Sequence, residues 1–138
     1  MTTLNNEIST TSKAGKILLV DDEEIIHLTL NRLLNQEKKY DIDHAYSGKE
    51  ALEKLNNSYD LIICDVIMAG IDGITILQEV KNKKYKAEVI MLSGFASQKH
   101  EMEAKTNNTL YFFHKPIDNI TTFKAAVAEA INLATKKE

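Results

Sequence analysis

Ile17-Leu18-Leu19-Val20-Asp21-Asp22-Glu23-Glu24 reads as four apolar residues in an unbroken run, followed at once by four acids. A continuous run of this length, rather than an alternation, is the pattern of a strand buried on both faces of a parallel sheet. The pattern returns at Leu61-Ile62-Ile63-Cys64, followed by Asp65, and at Val89-Ile90-Met91-Leu92, followed by Ser93. It returns again at Leu110-Tyr111-Phe112-Phe113, with Lys115-Pro116 shortly after. Residues 40–46 are half polar and suit a strand at a sheet edge.

Helical patterns fill the intervals. Ile25, Ile26, Leu30, Leu33 and Leu34 mark a first helix. Ser47 with Glu50 three residues later is a capping box that opens a second, through Leu52 and Leu55. Asp72-Gly73 is a turn before a third helix carrying Ile74, Leu77 and Val80. Residues 96–105 form a poor helix whose main apolar residues are Met102 and Ala104. A last helix starts near Asp118 and carries Ile120, Phe123, Val127, Ile131 and Ala134. Five strand-helix units predict a doubly wound α/β domain with helices on both faces of the sheet. The expected domain spans residues 16–135, between a polar disordered tail at 1–15 and a short end at 136–138.

Composition narrows the function. The chain has 138 residues, enough for one domain that needs no disulfide or metal staple. A net charge of -3 leaves no basic footprint for nucleic acid or an anionic membrane. Arg32 is the sole arginine, which argues against bidentate phosphate reading on a surface. Cys64 is the sole cysteine, so no disulfide forms within the chain and a reducing, cytoplasmic setting is expected. No apolar run reaches the ~18 residues of a membrane-spanning helix, and residues 1–16 lack the apolar stretch of a signal peptide.

In an open parallel sheet, ligands bind beyond the carboxyl ends of the strands. Those ends carry Asp21-Asp22, Asp65, Ser93 and Lys115. Each alone has an ordinary explanation: helix-capping acids, a turn residue, a loop hydroxyl, a surface lysine. All four fall at strand ends, which chance turns rarely produce. If the first and third strands are neighbours, three carboxylates converge, and a hard divalent cation such as Mg²⁺ relieves their repulsion. The histidines His27, His44, His100 and His114 share no metal-ligand spacing, and Cys64 reads as a core residue.

Asp21-Asp22, Asp65 followed by Met68, Asp72-Gly73, Ser93-Gly94 and Lys115-Pro116 together resemble the CheY-like receiver domain of two-component response regulators. The resemblance covers about residues 16–135. It implies a flavodoxin-like sheet of five parallel strands in the order 2-1-3-4-5. It implies Asp65 as phosphoacceptor, with Mg²⁺ bound by Asp22 and Asp65, by Asp21 through water, and by the backbone carbonyl of Ile67. Ser93 and Lys115 then contact the phosphoryl group, Ser93 and Phe112 form the switch, and a cis peptide precedes Pro116. The side chains beside the hydrolytic water are those of Ile67 and Phe95, neither of which can orient it. The implied partners are a histidine kinase or phosphotransfer protein as donor, and a downstream protein on the face of the fourth helix, fifth strand and last helix. Neither nucleic acid nor membrane is contacted directly. On this reading the chain is a phosphorelay or two-component signalling module rather than an enzyme, although it assists its own phosphorylation and dephosphorylation.

Three features depart from the family pattern: Ala69 replaces a proline, Asn107-Asn108 replaces a Gly-Ala turn, and Gly94 replaces the commoner alanine. None removes a reactive group. Three other readings compete. An aspartyl phosphatase wants its nucleophile after the first strand and a second acid two residues on; a flavin carrier wants a Ser/Thr/Gly phosphate loop where four acids stand; a degenerate receiver keeps only the scaffold. Only 22 residues follow Pro116 (138 − 116), so either a stand-alone receiver or a fragment of a longer chain is expected.

Overall fold

Strand and helix alternate through the whole of the described chain, residues 13–37, 39–94 and 98–137 of a computed structural model. The elements are β1 (Lys16–Val20), α1 (Glu24–Leu34), β2 (Asp41–Ala45), α2 (Gly48–Lys54), β3 (Leu61–Asp65), α3 (Gly73–Asn82), β4 (Glu88–Ser93), α4 (Gln98–Thr106), β5 (Tyr111–His114) and α5 (Ile120–Thr135). All strand pairs are parallel, in the order β2-β1-β3-β4-β5. This is the flavodoxin-like sheet that the resemblance implied. The chain joins the sheet before β1 begins: Ala14 N–H donates to Lys39 O at 2.7 Å and Asp41 N–H to Gly15 O at 2.9 Å. Residues 1–12 of the expected tail lie outside the described residues.

The continuous apolar runs work because successive side chains point to opposite faces and both faces are covered. Leu18, Val20, Ile62, Cys64, Val89 and Met91 pack under α2, α3 and α4 through Ala51, Leu77, Val80 and Ala104. Ile17, Leu19, Leu61, Ile63, Ile90 and Leu92 pack under α1 and α5 through Leu30, Leu34, Phe123, Val127 and Ile131. Full burial of one such side chain stabilises the fold by about 1.5–3 kcal/mol, so the two layers fix the strand register strongly.

Two expectations need correction. The run at 110–113 reads as doubly buried, yet β5 is an edge strand and none of its residues is fully buried. Its Tyr111 faces outward, where the hydroxyl donates to Glu129 at 2.6 Å. In α1, Ile25, one of the apolar residues that mark the helix, is 62% exposed. His27, Leu30 and Leu34 face the sheet instead, a stripe at spacings of three and four that leaves Ile25 on the far side.

Local signals placed the other helices well. The Ser47 side chain accepts from Glu50 N–H, and Asp72 caps α3 by accepting from Thr75 N–H at 3.0 Å. The turn before β5 puts Asn108 at φ 66°, a left-handed conformation that asparagine tolerates better than most residues. α4 buries only Ala104, as its weak apolar pattern predicts.

Candidate functional site

Strand register builds the site. Val20 pairs with Cys64, Asp65 with Leu92, and Ser93 with His114. Asp21, Asp65, Ser93 and Lys115 therefore leave neighbouring strands at nearly the same level. They meet at the point where β1 has β2 on one side and β3 on the other, the switch point of the sheet. Carboxylate oxygens of Asp21, Asp22 and Asp65 all lie within 4.8 Å of one another. Asp22, Asp65, Ile67, Ser93, Lys115 and Pro116 line the open cleft above them, with Ile25 and Ile26 at its rim. The Lys115–Pro116 peptide bond is cis.

Three ion pairs of one ammonium hold this cluster together. Lys115 Nζ lies 2.9 Å from Asp21 Oδ2, 3.2 Å from Glu23 Oε1 and 3.4 Å from Asp65 Oδ2. Burial alone depresses the Lys115 ammonium. Its hydrogen bond to Asp21 and the charge of Asp65 more than offset that and hold it above the usual lysine value. The Asp65 carboxyl is pushed up to about 6, first by burial and then by the charge of Asp21, with Lys115 pulling the other way. Three clustered carboxylates with one ammonium leave the cluster short of positive charge.

The main chain of Asp65 is held from α3. Gly73 N–H donates to Val66 O at 2.8 Å. A Cβ on Gly73 would stand 2.2 Å from Asp65 O, so no larger residue fits there without moving the strand end. This is the structural use of the Asp72-Gly73 pair: the aspartate caps the helix and the glycine lets it approach Asp65.

Ser93 is 1% exposed, and its Oγ is a buried polar side-chain atom with no hydrogen-bond partner among the described residues. A buried hydroxyl without a partner is costly, and this one borders the cleft. The oxygen donors of three carboxylates fit a hard divalent cation, and the hydroxyl fits an anion carried beside it.

The profile of the response regulator receiver domain matches residues 17–127. The chain belongs to that family. The receiver domain is 35% identical over 106 residues to the transcriptional regulatory protein ZraR of Salmonella typhimurium, covering 75% of this chain and 24% of that protein. It is 37% identical over 102 residues to the transcriptional regulatory protein ResD of Bacillus subtilis, covering 73% of this chain and 42% of that protein. The chain thus spans less than half the length of these relatives. A receiver domain from Clostridium thermocellum superposes with a TM-score of 0.80 at 28% identity, covering 90% of this chain and 99% of the other. The CheY-like receiver domain protein from Methanospirillum hungatei gives 0.80 at 22%, covering 90% and 98%.

In this receiver domain the structure brings Asp22, Asp65, Ser93 and Lys115 into one cleft, with the fully buried Asp21 behind it on Lys115, and Ile67 lines the same cleft with 43% of its surface exposed. Phe112 stands apart, half-buried on the α4 side of the sheet, with its ring 5.4 Å from that of His114. Phe95 lies outside the described residues. Cys64 is buried, and burial first, then the Asp65 charge, raises its thiol well above the usual value, which fits a core residue. Sequence reasoning missed His27 and His44. Their Nδ1 atoms lie 2.7 Å apart, and His27 Nε2 lies 2.7 Å from Asp21 O. No spacing signal announces a pair that forms only when β2 lies beside β1. No helix among the described residues is long and apolar enough to cross a membrane.

Proposed function

We propose that this receiver domain accepts a phosphoryl group on Asp65 and uses it to switch protein contacts in a two-component system or phosphorelay. The observation that carries the reading is the meeting in one cleft of a buried carboxylate, a buried ammonium and a hydroxyl unpartnered among the described residues, at Asp65, Lys115 and Ser93. An Asp65 oxygen attacks phosphorus, the bond from phosphorus to the donor histidine nitrogen breaks, and the donor imidazole leaves with that electron pair. Lys115 offsets charge on the transferred oxygens, and the Ser93 hydroxyl donates to one of them. Asp22, Asp65 and the Ile67 carbonyl would hold Mg²⁺, with Asp21 assisting through water, and the ion would supply the remaining positive charge.

The donor is a phosphohistidine on a kinase or phosphotransfer protein. Ile25 and Ile26 on the rim of the acidic cleft, with Leu28 exposed further along α1, offer it an apolar seat continuous with the reacting carboxylate. The output face is α4, β5 and α5, where weak packing of α4 lets the Ser93–Phe112 switch act at low cost. The setting is cytoplasmic, and neither nucleic acid nor membrane is a direct partner. Ile67 and Phe95 give the phosphorylated state a long life. Incubation with Mg²⁺ and a small acyl phosphate tests the reading: the mass rises by one phosphoryl group and then stops. Turnover of the acyl phosphate with no phosphorylated protein accumulating, or no gain in mass, refutes it.

A further inference from the structure

Asp21 is fully buried, and every polar group it owns is committed. Its N–H donates to Ala45 O at 3.1 Å; Oδ1 accepts from Glu23 N–H at 2.9 Å; Oδ2 accepts from Lys115 Nζ at 2.9 Å. The remaining group, its carbonyl, meets His27 Nε2 at 2.7 Å. His27 is itself 1% exposed, under the ring of Tyr46, whose centroid lies 4.0 Å away and whose hydroxyl donates to Glu24.

A carbonyl only accepts, so His27 Nε2 carries a hydrogen and donates it to Asp21 O. His44 Nδ1 stands 2.7 Å from His27 Nδ1, so one of these two nitrogens donates to the other and the ring of His27 is held at both ends. The last two residues of β2 thus clamp Asp21 from both sides of its peptide, Ala45 directly and His44 through His27.

We infer that His27 is a positioning residue of the phosphoryl site: by holding the Asp21 carbonyl it fixes the peptide from which the Asp22 carboxylate departs, and His44 holds the His27 ring in place from its other nitrogen. The inference rests on the reading of the cleft as a Mg²⁺-dependent phosphoacceptor site. Groups that orient metal ligands from behind act in this way. Asp22 is exposed, so its aim depends on its main chain more than on packing of its side chain.

The test uses the full chain and its His27→Leu and His27→Gln variants. Leucine removes the donor and keeps the bulk; the glutamine amide returns a donor near the place of Nε2. Mg²⁺ binding is measured by calorimetry, with phosphoryl uptake from an acyl phosphate in parallel. His27→Leu is expected to weaken Mg²⁺ binding about tenfold, and His27→Gln to recover most of it. Equal affinity in His27→Leu and the unaltered chain overturns the inference, as does a glutamine variant no better than leucine, because packing alone then explains the effect. If His27→Leu does not fold, nitrogen NMR of the unaltered rings decides: a hydrogen on His27 Nε2 supports the clamp, and a bare His27 Nε2 overturns it. Failure of the unaltered chain to take up either Mg²⁺ or a phosphoryl group identifies the site reading as wrong, and the inference falls with it.

Discussion

Lys115 Nζ sits 3.4 Å from Asp65 Oδ2, and both side chains are almost wholly shielded from water. The same ammonium holds Asp21, so one lysine serves two buried acids. Removing one partner of a buried charge pair costs about 3–5 kcal/mol. Lys115→Met is therefore expected to lose about 3 kcal/mol in urea denaturation at neutral pH with chelator present. Mg²⁺ returns part of the loss. A variant as stable as the parent in chelator means that the three side chains do not share charge as described.

The raised Asp65 carboxyl has a defined pH signature. Its value is about 6 in the fold against an ordinary 3.8, so the folded state holds this proton more tightly than the unfolded chain does. The contribution is complete below about 3.8 and is lost as pH rises through about 6. In chelator, Asp65→Asn is thus expected to gain stability over the parent as pH climbs from 4 to 7, by roughly 3 kcal/mol at most. Mg²⁺ narrows the gap, since an ion at ~100 times its dissociation constant stabilises the parent by about 2.7 kcal/mol. A stability difference that stays flat across this range contradicts the assignment.

Much of this was legible in the chain because it depends on neighbours in sequence. Val20 before Asp21, Cys64 before Asp65 and Leu92 before Ser93 announce strand ends; Ser47 and Asp72 announce caps. The convergence of Asp21 with Asp65 needed only the placement of β1 beside β3. What stayed hidden depends on partners far along the chain. The apolar run around Tyr111 does not say that β5 has no strand beyond it. Ile25 looks more suited to the core than His27, until His44 and the Asp21 carbonyl supply the partners that let an imidazole be buried. The triple pairing of Lys115 likewise spans 94 residues to Asp21.

The switch proposal predicts a localised response. α4 buries one side chain, Ala104, so few contacts oppose its movement. Hydrogen exchange between residues 94 and 113 is expected to change when a phosphoryl mimic occupies the cleft, while β1 and β3 stay protected. Unaltered exchange there indicates a passive phosphate carrier.

The proposed long lifetime rests on Ile67, which lines the cleft and cannot hydrogen-bond a water, and on the expectation from the family resemblance that Phe95 has the matching role. A well-placed group that orients water or takes its proton contributes ~10²-fold or more to hydrolysis. Ile67→Asn combined with Phe95→Glu is therefore expected to shorten the life of the purified phosphoprotein at least several-fold. Decay that is unchanged or slower contradicts the proposed protection.

Reduction of the phosphorylated chain with borohydride, followed by peptide mapping, locates the acyl phosphate itself. The expected result is conversion of Asp65 to homoserine, with Asp21 and Asp22 untouched and no label in Asp65→Asn. Reduction at Asp21 or Asp22, or an Asp65→Asn chain labelled as fully as the parent, contradicts the assignment of Asp65 as phosphoacceptor.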